Sequence, residues 1–323
     1  MLISHNWLKK YFVNAPQGLP DIKTIEDTFT MGIFEIEGVV PSTAGDLSDT
    51  IFDVKVLPDR AHYCMSHRYV AQELGALLNI KAELPVYDSK KIVGQIDGGL
   101  TVSVNVVEEK YGDEKNRFIC PRYMARRVEG VSADPSPIWL KNQLEALGQR
   151  SISVLVDLTN YIMLETGQPL HAFDADKVDG AINVRFAKEG EVITLLDGTD
   201  VTLSSDILVI ADDKDALAIA GIKGGKKAEV TAETKRIIIE SANFDSVSVR
   251  KSAGKVGIKN ESSKRYENKV TPERTALAMN AISEHLAAIF PSAKFGNIVD
   301  VYLGKPEDKK FNVSIDFINK AIG

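Results

Sequence analysis

The chain has 323 residues, of which 44% are hydrophobic, enough to form the cores of two or three domains. Its formal net charge of −6 argues against a surface wrapped generally in nucleic acid, although a local basic groove stays compatible with it. The sequence has two cysteines at no metal-ligand spacing, no apolar stretch near the roughly 20 residues of a membrane span and no secretory signal pattern, so we expect a cytoplasmic protein.

The first 85 residues carry the pattern of a small α+β module. Ser4 and Ser66 stand where helix N-caps are preferred, each ahead of apolar residues at helical spacing. His62 and His67 lie near Cys64, but no fourth ligand is close, so we expect no metal there. The patterns predict helices over 4–12, 21–31 and 66–79, strands over 34–39 and 50–56, a loop over 41–49 and a turn at 58–62.

The rest of the chain predicts a larger mixed α+β domain with many short strands. Irregular patterning makes 86–99 an exposed linker ahead of this domain, which we place at 100–300. Helices are predicted over 138–147, 244–253 and 271–289, with Thr271 as the last N-cap, and strands over 100–107, 121–128, 182–187, 192–196, 201–203, 207–211, 217–220 and 236–241. The stretch 311–323 predicts a strand running into a short uncapped helix, so we expect a fragment, with 301–323 the truncated start of a further domain.

Three local features of this domain are candidates for chemistry. His171 follows a Gly-Gln-Pro turn and Thr159-Asn160 stand shortly before it, a set that could hold a water, a carbonyl or a ribose hydroxyl, or simply cap a core helix. The glycine-rich stretch 221–225 lacks the order of a phosphate-binding or dinucleotide loop, and is either a tight turn or a close approach to a ligand. Glu240 ends a run of three isoleucines, so its carboxylate should be at least partly buried and should need a partner.

Motifs along nearly the whole chain resemble the beta subunit of bacterial phenylalanyl-tRNA synthetase. The strongest is ETGQPLHAFD at 165–174. The others are IS at 3–4, NWL at 6–8, PDRA at 58–61, CPRY at 120–123, PSPIWL at 135–140, DLTNY at 157–161, the stretch 218–225, ESA at 240–242, and ESS at 261–263 with Arg265. The resemblance implies an N-terminal module followed by a domain that hydrolyses misacylated tRNA, here without the OB-fold tRNA-binding insertion near Val39 to Asp53 and with Lys223 where the family has Met.

The resemblance also implies roles for individual residues. Phenylalanine and tyrosine differ by one hydroxyl. An apolar pocket that binds phenylalanine for aminoacylation rejects tyrosine only weakly, so a separate site that hydrolyses the wrong product is needed. Glu240 matches the ligand of the tyrosine hydroxyl, and Ala220 and Gly221 match the small residues that make room for its ring. The catalytic set would be His171, Asn160 and Thr159, which hold water, the terminal adenosine and the ribose or carbonyl. Whether His171 is a general base or only positions water stays open beside substrate-assisted catalysis by a ribose hydroxyl.

Partners and cofactors follow from the same resemblance. It implies an alpha subunit in an assembly of two alpha and two beta chains, and tRNA(Phe) with its 3′ terminal adenosine as the bound RNA. Tyrosine is the expected editing ligand, and ATP with Mg²⁺ is expected only at the alpha subunit, so no cofactor or metal is expected in this chain. Two alternatives remain: a structural and tRNA-binding module of the same subunit without editing activity, and a free-standing domain for another aminoacylated or modified RNA.

Overall fold

The N-terminal part of the chain packs four helices on a three-stranded sheet. The computed structural model describes residues 1–89, 92, 94–96, 99–105, 118–305 and 310–323. The sheet order is β1-β3-β2 and all pairs are antiparallel. The elements are β1 (Leu2–Ser4), α1 (His5–Lys9), α2 (Ile22–Gly32), β2 (Glu35–Ala44), β3 (Leu47–Lys55), α3 (Pro58–Cys64) and α4 (His67–Leu78).

The helix starts predicted from capping residues are confirmed. The Ser4 hydroxyl accepts a hydrogen bond from the Trp7 amide at 3.0 Å, and Ser66 does the same for the Tyr69 amide at 3.4 Å. Each cap satisfies an amide that has no partner inside its own helix. These positions depend only on residues adjacent in sequence, which is why the pattern locates them.

The loop predicted at residues 41–49 is wrong, because a β-hairpin occupies it. Strand β2 continues to Ala44 and β3 begins at Leu47, with Gly45 in the turn at φ +56°. Pro41 pairs with Thr50 and is tolerated because β2 is an edge strand, where a missing N–H donor interrupts no ladder. A two-residue turn between the strands leaves no place for an inserted domain.

The turn predicted at residues 58–62 is also wrong. These residues open α3, in which Pro58 occupies the first turn. Proline is favoured there because its missing N–H would have had no partner within the helix. The tight change of chain direction comes later, between Cys64 and Ser66.

The described residues of the central part form many short strands and five helices, as the patterning predicts for a mixed α+β domain. Helix α9 is capped at Pro272 rather than at the predicted Thr271. The elements are β4 (Val102–Val104), β5 (Arg122–Glu129), α5 (Ile138–Ala146), α6 (Val154–Thr166), β6 (Leu170–Asp174), a 3-10 turn (Ala175–Lys177), β7 (Ile182–Phe186), β8 (Val192–Thr194), β9 (Asp200–Thr202), β10 (Leu208–Ala211), β11 (Ala216–Ile219), β12 (Lys223–Gly224), β13 (Arg236–Asn243), α7 (Ser246–Val256), α8 (Glu261–Glu267), α9 (Glu273–Ile289), β14 (Lys294–Phe295) and β15 (Val299–Tyr302).

Two sheets and one hairpin organise these strands. One sheet has the order β12-β11-β10-β7-β4, with β4 parallel to β7. The other has the order β14-β5-β13-β6, and β15 also pairs with β5. Strands β8 and β9 form a separate two-stranded hairpin. Strand β13 therefore lies between β5 and β6, paired antiparallel with both.

The two faces of β13 belong to two different cores. Ile237 and Ile239 pack into a first core, which also contains α5, α6, α9 and the apolar residues of the N-terminal part. Ile238 packs into a second core, which the strands β7, β10 and β11 dominate. Because side chains alternate along a strand, Glu240 points to the same side as Ile238. The first core joins residues on both sides of the predicted boundary near residues 86–99, and the division into modules stays a prediction.

The last described segment contains a helix but not the predicted strand. Residues 310–314 form no strand, and α10 (Ile315–Ile322) begins after Ser314, whose hydroxyl accepts the Phe317 amide at 3.1 Å. Every residue of α10 is exposed. Residues 106–107 of the predicted strand 100–107, and residues 90, 91, 93, 97 and 98 of the predicted linker, lie outside the described residues. Within the described ranges, no helix has the length and apolar character that crossing a membrane requires.

Candidate active site

Strands β6 and β13 place His171 and Glu240 side by side. The two residues are direct partners in the antiparallel register. Directly opposed residues have their Cβ atoms about 4.5–5.5 Å apart and project to the same face. Phe173 on β6 and Ile238 on β13 share that face and belong to the second core. The pairing therefore brings together two polar side chains that are 69 positions apart in sequence.

A cavity of about 110 Å³ lies in front of this pair. An engineered protein cavity of about 150 Å³ is known to hold benzene, so this volume is on the scale of one aromatic ring. Strands β6, β11, β12 and β13 and helix α8 supply its walls. The lining residues are Pro169, Leu170, His171, Ile210, Ala218, Ile219, Gly221, Ile222, Lys223, Gly224, Glu240, Ser262 and Tyr266.

Glu240 is the buried acid of this cavity, as the isoleucine run before it predicts. Only 5% of the residue is exposed. The Tyr123 hydroxyl donates a hydrogen bond to its Oε2 atom at 3.2 Å, which supplies the partner that a buried carboxyl needs. Burial raises the pKa of Glu240 to about 8, although the bond from Tyr123 acts in the opposite direction. The carboxyl is therefore largely protonated at neutral pH and can both donate and accept a hydrogen bond.

His171 is half-buried and has no orienting partner. Its ring meets that of Phe173 edge to face, with the centroids 4.6 Å apart. In the part of the chain that the structure describes, neither ring nitrogen makes a hydrogen bond. Burial lowers the pKa of His171 to about 4, so the imidazole is neutral at pH 7. A neutral imidazole without an acidic partner can orient a water molecule but is a weak general base.

Two glycines of the stretch 221–225 let the backbone come close to the site. A Cβ atom on Gly224 would lie 2.6 Å from Cε1 of His171, so only glycine fits between β12 and the imidazole. Gly221 has φ +71°, and a Cβ there would lie 2.9 Å from Cδ2 of Tyr266. The predicted tight turn is confirmed at residues 220–222, where the Ile222 amide donates to the Ile219 carbonyl at 3.0 Å between β11 and β12. Gly221 and Gly224 in addition bring the backbone close to protein side chains.

Ala220 and Gly221 differ in their relation to the cavity. Gly221 lines it, whereas Ala220 is 2% exposed, packs in the second core and is absent from the lining. Of the two residues predicted to make room for a ligand ring, only Gly221 lines the cavity. A larger side chain at Gly221 would first meet Tyr266 and the ring of Phe244.

Thr159 and Asn160 are not brought to the cavity. Both lie in α6, which packs in the first core on the opposite face of the sheet that carries His171. The Thr159 hydroxyl donates to the Val156 carbonyl at 2.7 Å within its own helix. Neither residue is among those that line the cavity. Gly167 ends α6 and the chain then turns into β6, which carries His171. The catalytic role of Thr159 and Asn160 stays a prediction.

Four residues of the site have no strong signal in the sequence. Tyr123 holds Glu240, and the Tyr266 hydroxyl donates to the Ala242 carbonyl at 2.9 Å at the cavity wall. The Ser262 hydroxyl donates to the Gly221 carbonyl at 3.1 Å. Asp197, in the turn between β8 and β9, forms an ion pair with Lys223, which lowers the pKa of Asp197 to about 2. Tyr123 and Ser262 lie inside the motifs 120–123 and 261–263, and Tyr266 follows Arg265. The sequence does not indicate what these three side chains do, and their contacts appear only in the fold.

The histidines near Cys64 have no metal-binding arrangement. His67 is fully buried, its Nε2 accepts the Ser4 amide at 3.1 Å, and its Nδ1 lies 3.1 Å from the Leu164 carbonyl. Both ring nitrogens are thus used by the backbone. Among the described residues, no group of three or more His, Cys, Asp or Glu side chains is placed to hold a metal ion.

Comparison with known proteins identifies the family. The model of the B3/4 domain matches residues 119–291, more than half of the chain. The chain belongs to the B3/4 domain family. All the lining residues of the cavity, together with Tyr123 and Asp197, fall inside the B3/4 match.

Curated relatives of this B3/4 protein confirm the resemblance found in its sequence. The phenylalanine–tRNA ligase beta subunit of Fusobacterium nucleatum is 35% identical over 278 residues, which cover 86% of this chain and 34% of that protein. The beta subunit of Anaeromyxobacter dehalogenans is 41% identical over 291 residues, which cover 88% and 35%. The chain thus spans about a third of the length of the curated relatives it matches.

Among solved structures, an N-terminal fragment of the phenylalanyl-tRNA synthetase beta subunit from Pyrococcus horikoshii aligns with this B3/4 protein at 19% identity and a TM-score of 0.44. The alignment covers 100% of this chain and 84% of that one.

Proposed function

We propose that this chain is the editing part of a phenylalanine–tRNA ligase beta subunit and hydrolyses tyrosine from misacylated tRNA(Phe). The observation that carries the proposal is the pairing of Glu240 with His171 on adjacent strands, facing one cavity of about 110 Å³. A buried acid and a neutral imidazole at the same cavity can recognise a phenol and hold a water beside it. The similarity to beta subunits of this ligase supports the same assignment.

Selectivity for tyrosine would come from Glu240. Its carboxyl is 5% exposed and has Tyr123 as its donor, so an entering phenol would be the second partner. A phenylalanine ring would bring no polar group and would displace any water that solvates the carboxyl. Leaving a buried polar group without its partner costs about 1–3 kcal/mol, which corresponds to a preference of roughly ten- to a hundredfold for tyrosine.

The reaction adds one water across the aminoacyl ester. The water oxygen attacks the carbonyl carbon, the bond from that carbon to the ribose oxygen breaks, and the ribose oxygen takes up a proton to become a hydroxyl. His171 would accept a hydrogen bond from the attacking water and fix its position, which is the main requirement for an ester that is already activated. The neighbouring ribose hydroxyl can relay the proton, so the reaction does not require His171 to become protonated.

Deacylation of labelled tRNA tests this proposal. The full chain should release tyrosine from Tyr-tRNA(Phe) faster than phenylalanine from Phe-tRNA(Phe), with and without the alpha subunit of a related ligase. Glu240→Ala should remove that preference, whereas Glu189→Ala, which changes an exposed carboxylate outside the cavity lining, should retain it. Release at the uncatalysed rate by the wild-type chain would reject the proposal.

The wider assembly is part of the same proposal. The chain would act within two alpha and two beta subunits and would bind the 3′ terminal adenosine of tRNA(Phe) in the cytoplasm. ATP and Mg²⁺ would act at the alpha subunit, so this chain alone should not attach phenylalanine to tRNA. Mixing it with an alpha subunit and following subunit mass by light scattering tests the association.

A structural and tRNA-binding module without editing activity is the second candidate. The placement of Thr159 and Asn160 favours it, because His171 alone of the three predicted catalytic residues lines the cavity. Under this reading the chain would bind tRNA(Phe) but leave Tyr-tRNA(Phe) intact. Deacylation by the wild-type chain that is lost in His171→Ala, with unchanged tRNA binding, would reject it.

A further inference from the structure

The cavity becomes more open from Glu240 towards Lys223. Glu240 is 5% exposed and His171 is half-buried, whereas 27% of the Lys223 side chain is exposed. All three line the same cavity. Among its described lining residues, Lys223 is the one permanent cation. The site thus presents a carboxyl at its closed end, an imidazole opposite that carboxyl on β6, and an ammonium at its more exposed mouth.

The hairpin of β8 and β9 holds this ammonium at the mouth. Its Leu196 amide donates to the Gly224 carbonyl at 3.2 Å, and the Lys226 amide donates to its Thr194 carbonyl at 2.8 Å. These bonds dock the hairpin on β12 and place Asp197 beside Lys223, with which it forms an ion pair. Because the Asp197 side chain is 52% exposed, this pair is solvated and contributes little to stability. The lysine can therefore exchange this partner for a stronger acceptor at little cost.

We propose that Lys223 binds a backbone phosphate of the RNA whose esterified end enters the cavity, with Asp197 as its partner when no RNA is bound. The inference rests on the proposed function. The order of groups along the cavity matches the order along a tyrosyl-RNA end, which runs from phenol to ester, ribose and phosphate. Phosphate oxygens bind ammonium groups in short, charge-assisted hydrogen bonds. The four-carbon stem of lysine lets its ammonium follow such a group.

The test compares two substrates that differ in the phosphate. The full chain is given Tyr-tRNA(Phe), and separately tyrosine esterified to adenosine without any phosphate, between 50 and 200 mM salt. Lys223→Met should raise the KM for Tyr-tRNA(Phe) about tenfold, because it deletes a phosphate contact. It should also reduce the slope of log(1/KM) against log salt by about 0.7, the value for one phosphate contact on a single strand. Hydrolysis of the adenosine ester should change less than twofold.

Two further variants control for charge and for packing. Lys226→Met removes one positive charge from an exposed neighbour outside the cavity lining and should shift the KM for Tyr-tRNA(Phe) less than threefold. Lys223→Arg keeps a cation at the mouth and should retain the salt slope of the wild type.

The possible outcomes separate this inference from the function on which it rests. Equal losses on both substrates in Lys223→Met would show that Lys223 only supports the cavity, and an unchanged KM and salt slope would also overturn the inference. A wild-type chain that hydrolyses neither substrate would instead reject the proposed function, and this inference with it.

Discussion

At the scale of single residues, Glu240 shows how burial changes what a carboxyl can do. Its neighbours on the same face of β13, Ile238 and Ala242, are apolar, and the Tyr123 hydroxyl donates a hydrogen bond to it. The raised pKa means that the folded protein binds this proton more tightly than the unfolded chain does. The protonated carboxyl of Glu240 can exchange hydrogen bonds with a phenol. Because burial favours this protonated form, loss of the proton lowers the stability of the folded protein.

The protein should become less stable as the pH rises from 6.5 to 8. Glu240 has a pKa of about 8 when folded against 4.5 ordinarily, so the folded state holds one more proton in this window. The free energy of unfolding should fall by up to about 1.4 kcal/mol per pH unit. His67 and His171, with pKa values of about 3 and 4, are neutral when folded but about half protonated when unfolded at pH 6.5, so they oppose the fall near pH 6.5 and contribute little above about pH 7.5.

Urea denaturation at pH 6.5, 7.2 and 8 measures this dependence. Glu240→Gln keeps the shape of the side chain and an acceptor for Tyr123 but cannot titrate, so its stability should not fall over the same window. Parallel curves for the wild type and the variant would mean that the carboxyl does not titrate there.

At the scale of elements, the site depends on how closely β12 approaches β6. Strand β12 contains only Lys223 and Gly224, and the missing side chain of Gly224 makes the space that the His171 ring occupies. The β8–β9 hairpin docks on the same strand. Strand β12 therefore determines how much room the His171 ring has between β12 and β6.

Gly224→Ala should reduce both the rate of deacylation and the stability. The new Cβ would lie 2.6 Å from Cε1 and 2.9 Å from Nε2 of His171, so the ring or the strand must move. Misplacing a group that positions water by about 1 Å can cost roughly a hundredfold in rate, and we expect a loss of 10- to 100-fold. Overpacking should cost about 1–3 kcal/mol of stability.

Gly38→Ala is the matched control, because that strand glycine has nothing within 4 Å of its added Cβ. It should leave both the rate and the stability within error of the wild type. A Gly224→Ala protein with wild-type kcat would show that the position of His171 is unimportant for the reaction.

At the scale of the whole molecule, the N-terminal part is joined to the central part by a buried polar network. Trp7 stacks between His67 at 4.1 Å and Tyr161 at 4.6 Å, measured between ring centroids. Its indole N–H donates to Oε2 of Glu165 at 2.9 Å, and the Tyr11 hydroxyl donates to the same oxygen. Glu165 belongs to α6 and is 1% exposed, so its hydrogen bonds cross from one part of the protein to the other.

Trp7→Phe should destabilise the protein by about 1–3 kcal/mol. The substitution keeps an aromatic ring in the stack but removes the N–H donor, so the buried Glu165 loses one of its hydrogen bonds. The midpoint of urea denaturation, followed by circular dichroism, measures the effect. Trp139→Phe is the control, since Trp139 is 41% exposed and should cost less than 1 kcal/mol. Equal effects of the two substitutions would argue against an energetic role for the network.

Part of the fold could be predicted because its causes are local. Ser4 and Ser66 cap helices through amides three residues away, and the alternation along β13 is visible in the isoleucine run before Glu240. The sequence predicts a loop in place of the hairpin at Gly45, because the cause of this hairpin is not local. Pro, Ser, Gly and Asp usually mark a loop, and only the position of β2 at the edge of its sheet makes a strand with Pro41 acceptable.

The candidate site divides in the same way. Burial of Glu240 and the need for glycine near 221–225 follow from composition and spacing, and the family motifs locate His171. The family resemblance assigns Thr159 and Asn160, 12 and 11 residues before His171, to the same site. Helix α6 carries them to the other face of the sheet, so neighbours in sequence are separated by a layer of backbone.

By itself the sequence determined the class of fold, the caps at Ser4 and Ser66, the apolar strand that buries Glu240 and the family to which the chain belongs. Only the tertiary structure decided which polar groups share a cavity. Strand pairing sets Glu240 opposite His171, a hairpin brings Asp197 to Lys223, and Tyr123 reaches Glu240 from the neighbouring strand. These contacts join residues far apart in the chain, and their geometry depends on sheet register and on the packing of two cores, which local patterns do not specify.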